Sequence, residues 1–175
     1  MTERYELPEE LRLTKNLVKD FNRNEIIPLE QQIPHDSITI PEDDYLRLSK
    51  KTREMGLWCL GVPEEYGGAG LSLFANSVIA EEMVQHAAGL YCPAYGTMGD
   101  PPPEIIWAGD EYQIETYGLP TVEHKLKGWF AITEPSGGSD PARAIQTHAK
   151  RDGDDWIING SKIYIGGSPW GDWGI

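Results

Sequence analysis

Cysteine and histidine are scarce in this sequence, which has 2 Cys and 4 His among 175 residues. Cys59 and Cys92 lack CxxC spacing and each follows an aromatic residue, so we expect small buried side chains rather than a disulfide, a metal site or a nucleophile. The histidines lack the HxxxH or HxxE spacing of metal-binding helices. The sequence therefore predicts no metal site.

Basic side chains are also few. Lys and Arg number 15 against 28 Asp and Glu, which gives a formal net charge of −13 at pH 7. This sign opposes attraction to phosphate backbones and to anionic lipid. A role in binding nucleic acid is therefore excluded as the main function.

Long apolar runs are missing as well. No run approaches the ~18 residues that a membrane-spanning helix needs. The opening MTERYELPEELRLTKNLVKDF alternates charged and apolar residues where a signal peptide would be continuously apolar. We therefore expect a cytoplasmic protein without membrane insertion.

The first part of the chain has the apolar spacing of helices. One apolar stripe predicts a helix over residues 7–21, which Asn24 and Pro28 should end. Pro41 suits the start of a second helix, which should run to Met55.

Glycine and proline divide the remaining helical part. Residues 56–72 hold too many of them for regular structure and predict an ordered loop. Ser72 fits the N-cap of a third helix, whose nearly all-round apolar pattern is typical of a helix buried in a bundle. Three prolines at 101–103 open a further helical stretch that Gly109 should end.

After Gly128 the apolar period shortens to that of strands. Tight turns are predicted at Asp152-Gly153 and at Asn159-Gly160, because both pairs tolerate a positive φ. Four strands forming an antiparallel meander are expected over residues 129–133, 144–150, 155–158 and 162–165.

The order of these elements predicts the fold class α+β. A helical N-terminal domain, an all-α bundle of residues 1–127, should precede an antiparallel, barrel-like β domain that begins at residue 128. A sheet ending at residue 175 would leave four apolar residues without covering partners, namely Ile163, Ile165, Trp170 and Trp173. We therefore expect the β domain to be incomplete and the chain to be truncated.

The segment WFAITEPSGGSDP, residues 129–141, is the best candidate for a ligand site. A strand that delivers Thr133 and continues into a loop with Gly138 and Ser139 presents backbone N–H groups and hydroxyls to an anion such as a pyrophosphate. Its spacing matches neither GxGxxG nor GxxxxGK[ST]. Taken alone, an ordinary surface turn remains an alternative.

Four motifs in order give the sequence a family resemblance. EMGLWCLGVPEEYGGAGLS, SVIAEEM, FAITEPSGGSD and GDDWIINGSKIYIGGS resemble the first half of an acyl-CoA dehydrogenase. The resemblance implies a helical domain, a central β domain and a C-terminal helical bundle, with FAD as cofactor and an acyl-CoA thioester as substrate. It also implies α,β-dehydrogenation, electron transfer to an electron-transfer flavoprotein or another acceptor, and a homo-oligomer when complete.

The resemblance also assigns site residues. Thr133 falls on the strand that contacts the flavin, and Gly138 and Ser139 fall in the loop that meets the FAD pyrophosphate and the CoA thioester. Tyr164 and Gly166 stand where the family usually has a Trp, Ile, Thr run, so Gly166 supplies no hydroxyl. Three other positions are implied, Phe130 and Ile132 at the flavin and Tyr91 at the acyl chain of the substrate.

No catalytic base is nominated, because the family's base lies in the C-terminal helical domain. Glu134 is expected to be structural. Glu81 and Glu82 should point about 100° apart, one toward solvent and one into an ion pair. Two alternatives to a dehydrogenase remain open, a non-catalytic assembly subunit with the same fold and a flavin oxidase or monooxygenase on the same scaffold.

Overall fold

The chain forms two compact units, Met1–Pro101 and Pro102–Ile175. The computed structural model describes residues 6–34, 37, 39–86 and 96–175. Tyr91 and Cys92 lie outside the described residues. No helix in the described ranges combines the length and the apolar character needed to cross a membrane.

The first unit begins with a helix that is longer than predicted. Helix α1 spans Glu9–Phe21 and continues through a π-helical turn, Asn22–Ile26, into α2, Ile27–Glu30. The prediction that Asn24 and Pro28 end the helix is therefore wrong. The turn closes with a bond from the Ile27 N–H to the Asn22 carbonyl, and this wider i→i−5 spacing accommodates a proline that would break a regular α-helix.

Helix α3 and the loop after it agree with the sequence. Helix α3 spans Glu42–Glu54, with Pro41 at its N-cap. Gly56 then reverses the chain with φ +71°, a conformation that glycine adopts without strain. The loop of residues 56–72 is ordered because its apolar side chains enter the core, as Leu57, Trp58, Leu60 and Val62 do.

Helix α4 spans Leu73–Met83, and the Ser72 side chain accepts a hydrogen bond from the Ala75 N–H at 3.2 Å. This confirms the predicted cap. The predicted all-round burial is wrong, because Ile79 is fully buried while Leu73 is 81% exposed. One face of α4 packs on α1, and the core of this unit includes Leu11, Val18, Phe21, Ile26, Leu48, Leu57, Ile79 and Met98.

The second unit opens with short helical pieces. A 3₁₀ turn, Glu104–Ala108, ends at Gly109 as predicted. Helix α5, Glu111–Gln113, starts with a capping box and leads through a second π-helical turn, Ile114–Gly118, into α6, Leu119–Val122. Pro120 lies two residues after this π-helical turn, as Pro28 does after the first.

Four strands and one short helix complete the second unit. Strands β2, His148–Asp152, and β3, Asp155–Asn159, form an antiparallel hairpin, and Gly153 at its turn has φ +64°. This hairpin was predicted. Strand β1, Gly128–Trp129, pairs in parallel with β4, Trp173–Gly174, so the continuous antiparallel meander is wrong. Helix α7, Pro141–Ala144, replaces the start of one expected strand, and residues 162–165 are not a strand.

Hydrogen bonds that involve both backbone and side-chain groups hold the parallel pair of β1 and β4. The Asp172 carboxylate accepts the Lys127 N–H at 2.8 Å, next to the point where β4 begins. Trp173 is buried and its Nε1 donates to the Thr121 hydroxyl at 2.9 Å, so the expectation that Trp173 lacks cover is wrong. Helices followed by strands confirm the fold class α+β with a partial β domain, and the described strands close no barrel.

Candidate functional site

The predicted ligand segment is held between two later parts of the chain. Beyond β1, the Ala131 N–H donates to the Ile175 carbonyl at 2.7 Å. Two residues on, the Thr133 carbonyl accepts the Ile163 N–H at 3.0 Å. The extended path through Thr133 is thus fixed on both sides by backbone hydrogen bonds.

The loop after Thr133 folds back onto it. Glu134 and Gly137 exchange backbone hydrogen bonds of 3.3 and 3.0 Å, which makes a tight turn. A Cβ atom on Gly138 would lie 3.3 Å from the Thr133 Cγ2 atom, tighter than most contacts of this kind. A glycine therefore lets this loop approach Thr133 closely, and the structure brings these two predicted site residues together.

Several hydrogen-bond donors at this place are not used within the part of the chain that the structure describes. They are the hydroxyl and backbone N–H of Thr133 and the backbone N–H groups of Gly138 and Ser139. Gly138 and Ser139 are exposed. Such donors fit a ligand that carries carbonyl and phosphate oxygens, as FAD does.

Glu134 lies beneath this loop and is only 3% exposed. Its Oε2 accepts the Gln146 N–H at 2.7 Å, and its Oε1 accepts the Thr147 N–H at 3.0 Å. The Lys162 Nζ lies 2.9 Å from Oε1. The Thr147 side chain, followed by the Gln146 N–H and the Lys162 ammonium, lowers the pKa of Glu134 from 4.5 to about 2. This ionised, fully engaged carboxylate supports a structural role.

The other predicted site residues occupy less enclosed positions. Ile132 is partly buried, and its carbonyl oxygen accepts a hydrogen bond from Lys162 Nζ at 3.2 Å. Phe130 is half-exposed, and Tyr164 is 90% exposed with φ +58°, a left-handed conformation that is uncommon outside glycine. No hydrogen bond of the described residues joins Ser139, Tyr164 or Gly166 to Thr133.

Sequence reasoning missed Lys162. A carboxylate inside an apolar strand-and-loop motif needs a cation or several donors when it is buried. The single lysine of the run GSKIYI was the available signal, since it stands directly before Ile163 at the start of a predicted strand.

The acidic and thiol groups elsewhere behave as structural groups. Glu81 is 69% exposed and Glu82 is 18% exposed, so one of them faces solvent as expected. Both reach the Lys15 ammonium, at 2.7 and 3.8 Å, so the expectation that only one is paired is wrong. Flexible side chains overcome the 100° offset of their Cβ atoms. Burial raises the pKa of the Cys59 thiol to about 12, which agrees with a small buried side chain. The described residues contain no cluster of side chains that could hold a metal ion.

Comparison with known proteins gives two family matches along the chain. The N-terminal domain of acyl-CoA dehydrogenases matches residues 8–124, and the middle domain matches residues 129–175. Together these two spans cover most of the sequence, including the whole of the Thr133 site.

Individual relatives give the same result. The (R)-benzylsuccinyl-CoA dehydrogenase of Thauera aromatica is 33% identical over 172 residues, which cover 92% of this chain and 42% of that protein. The mitochondrial short-chain specific acyl-CoA dehydrogenase of Rattus norvegicus is 33% identical over 162 residues, with coverages of 91% and 37%. This chain thus spans about two fifths of the length of these relatives.

A solved structure extends the likeness to three dimensions. The crystal structure of a glutaryl-CoA dehydrogenase from Mycobacterium smegmatis in complex with FADH2 superposes with a TM-score of 0.70 at 26% identity. The superposition covers 96% of this chain and 42% of that one. On the two domain matches, the chain belongs to the acyl-CoA dehydrogenase family.

Proposed function

We propose that the protein to which this chain belongs is an FAD-dependent acyl-CoA dehydrogenase, which oxidises the α,β carbon–carbon bond of an acyl-CoA thioester. One observation carries the proposal. The unused donors of Thr133, Gly138 and Ser139 are gathered at one place by the tight turn and by the backbone bond from Ile163.

The proposed FAD site follows from these donors. The Thr133 hydroxyl and N–H would hold carbonyl oxygens of the flavin ring, and the Gly138 and Ser139 N–H groups would meet the pyrophosphate. Bound FAD supplies the two-electron acceptor that the reaction needs. The proposed flavin-contacting set is completed by Phe130, Ile132, Tyr164 and Gly166.

The substrate half of the proposal depends on fewer residues. Ser139 is proposed to contact the thioester end of acyl-CoA as well as the cofactor, and Tyr91 is proposed to line the acyl chain. Removal of the α proton needs a carboxylate base beside the substrate, which the family resemblance assigns to a C-terminal helical domain. An electron-transfer flavoprotein or another acceptor would then reoxidise the cofactor.

The domain boundary at residues 127 and 128 is also proposed. The interval between the two family matches, residues 125–128, supports it, whereas the compact units divide earlier, after Pro101. Assembly into a homo-oligomer, a role in fatty acid metabolism and a cytoplasmic location remain predictions.

The test is flavin absorbance at about 450 nm during titration of this chain with FAD, followed by anaerobic addition of a panel of acyl-CoAs to the chain and to an extended protein. Because Phe130, Ser139 and Tyr164 are exposed, we expect the 175 residues alone to bind FAD with a Kd above about 1 μM. Bleaching is expected only in the extended protein.

A matched pair of variants sharpens this test. Ser139→Leu should weaken flavin or CoA binding, since it removes a hydroxyl and fills the space beside the loop. Ala149→Leu adds similar bulk at an exposed position of β2 and should leave binding unchanged. The proposal would be refuted if neither the 175-residue chain nor the extended protein bound FAD saturably. Peroxide formation in air would favour an oxidase, and flavin that no acyl-CoA bleaches would favour an assembly subunit.

A further inference from the structure

We propose that Lys162 is a positioning residue for flavin binding, because it fixes the direction in which the Thr133 backbone N–H points. The inference rests on the proposed function. It concerns a side chain outside the predicted site, 30 residues beyond Ile132 in the sequence. We call the arrangement of Lys162, the Ile132 carbonyl and the Glu134 carboxylate the lysine clamp.

One ammonium group holds the chain on both sides of Thr133. Lys162 Nζ donates to the Ile132 carbonyl at 3.2 Å and lies 2.9 Å from the Glu134 carboxylate. The next residue contributes too, since the Ile163 N–H donates to the Thr133 carbonyl at 3.0 Å. Two adjacent residues of one segment therefore fix three consecutive residues of the other.

Because the peptide bond is planar, the contact of Lys162 with the Ile132 carbonyl also sets the direction of the Thr133 N–H. The Ile132 carbonyl and the Thr133 N–H belong to one trans peptide plane and point in opposite directions. When Lys162 fixes the carbonyl, it also fixes the N–H, which then points away from the ammonium. This N–H makes no hydrogen bond within the described part of the chain, so it is left for a ligand.

The positive charge also acts on the strength of the donor. A cation on the carbonyl side of a peptide polarises it and makes the N–H on the other side a stronger donor. A stronger donor toward the flavin favours the reduced, anionic ring over the oxidised one. The clamp should thus raise both the affinity for FAD and the reduction potential of the bound flavin.

Glu134 keeps the ammonium in place. Lys162 is 24% exposed and Glu134 is 3% exposed, so the pair is largely shielded from water. The carboxylate is itself fixed by the Gln146 and Thr147 N–H groups, which tie the clamp to the start of the β2–β3 hairpin. The Lys162 ammonium can hold the Ile132 carbonyl in place because it also contacts the Glu134 carboxylate, which is itself held by two backbone N–H groups.

The first test measures the clamp without cofactor. Lys162→Met removes the ammonium and keeps the side-chain length, and Lys150→Met is its control, because Lys150 is an exposed lysine of β2. In Lys162→Met, the amides of Ile163, Gln146 and Thr147 should exchange with solvent about tenfold faster by NMR. Wild-type exchange rates at these amides would overturn the proposal.

The second test separates positioning from a purely structural role. With FAD in excess, Lys162→Met should raise the Kd for FAD about tenfold and lower the flavin reduction potential, and Lys150→Met should change neither. Lys162→Gln keeps a donor to the Ile132 carbonyl but loses the charge, so its effect should be intermediate. This variant carries the test if Lys162→Met fails to fold. Combined with Thr133→Val, the effect of Lys162→Met on the potential should be non-additive.

The outcomes distinguish this proposal from the proposed function. Faster amide exchange with unchanged FAD affinity and potential would overturn the positioning role and leave the proposed function standing. A wild-type chain that never binds FAD, in either its short or its extended form, would overturn the proposed function and the positioning role with it.

Discussion

Thr133 keeps its side-chain hydroxyl available for a ligand. Its carbonyl is taken by Ile163, its methyl group lies against Gly138, and its hydroxyl has no partner in the described part of the chain. Thr133→Val keeps the shape and loses one donor. We expect FAD binding to weaken by about 1 kcal/mol and the flavin reduction potential to fall, with little change in the thermal stability of the chain.

Titration calorimetry and spectroelectrochemistry check this expectation. Thr14→Val is a matched control, because Thr14 lies on α1 and donates to the Glu10 carbonyl. Unchanged affinity together with unchanged potential in Thr133→Val would show that the hydroxyl does not face the flavin.

Glu134 gives the chain a defined response to acid. Its pKa is about 2 in the folded chain against 4.5 as the ordinary value, so the carboxylate stabilises the fold fully above about pH 4.5. This contribution is lost as the pH falls toward 2, where the folded state must take up the proton. The free-energy advantage of the wild type over Glu134→Gln should therefore be constant above pH 4.5 and shrink below it.

Chemical denaturation at a series of pH values measures this difference. Glu115→Gln, at an exposed position of the second π-helical turn, is the control and should change stability little at any pH. A wild-type advantage that stays the same from pH 5 to about pH 2 would contradict the assigned pKa.

At this scale the sequence predicts residues whose role is local. The Ser72 cap and the Gly153 turn depend on neighbours in sequence, and both are confirmed. The role of Lys162 could not be read from sequence because its partners lie about 30 residues away. That contact exists only after the two segments have been brought together.

At the scale of elements, three glycines determine how β1 and β4 meet. Gly167, Gly171 and Gly174 surround Trp129, and we call them the glycine cage. A Cβ atom on Gly174 would lie 2.5 Å from the Cδ2, Cε2 and Cε3 atoms of the Trp129 ring. The parallel pairing therefore depends on residues without side chains, because the indole lies directly against the backbone of the later segment.

Gly174→Ala should destabilise the chain by about 1 to 3 kcal/mol, because the added methyl group overlaps a large ring that cannot move easily. Thermal or urea unfolding measures the loss. Trp129→Leu in the same chain makes room, so the double variant should lose less than the sum of the two single ones. Strict additivity would show that the glycine cage does not depend on Trp129.

Other elements show where sequence reasoning stops. Pro28 was expected to end a helix, yet the helix resumes after a π-helical turn, and Pro120 likewise lies in a helix that resumes after the second π-helical turn. Whether a helix ends near a proline or continues through a π-helical turn depends on how the turns around the proline pack. The local sequence does not give this packing. The antiparallel hairpin was predictable because its turn is local, whereas β1 and β4 are separated by more than 40 residues.

At the scale of the whole molecule, the net charge limits the ways in which the chain can bind an anionic ligand. An acidic chain with a net charge of −13 has no broad attraction for polyanions. FAD or CoA must then be bound by individual hydrogen-bond donors, such as those of Thr133 and the Gly138–Ser139 loop. The four motifs made the family predictable, and each of them falls within one of the two matched domains.

The remaining prediction concerns turnover by these 175 residues. Dehydrogenation needs a carboxylate that is free to take the α proton, and loss of a general base typically costs ~10² to 10⁴ in rate. The carboxylates considered for this role are engaged, since Glu134 is bound to Lys162 and two backbone N–H groups, and Glu81 and Glu82 both contact Lys15. We therefore expect no acyl-CoA dehydrogenase turnover by this polypeptide with any acyl chain length, even with excess FAD.

Anaerobic reduction of an artificial electron acceptor measures this turnover. The assay compares the 175 residues with a protein extended by a C-terminal helical domain, supplied covalently or as a partner chain, and only the extended form should be active. Clear activity of the short form would mean that one of its own carboxylates acts as the base. Glu134→Gln, Glu81→Gln and Glu82→Gln would then identify it, since only loss of the true base should abolish the rate without preventing flavin binding.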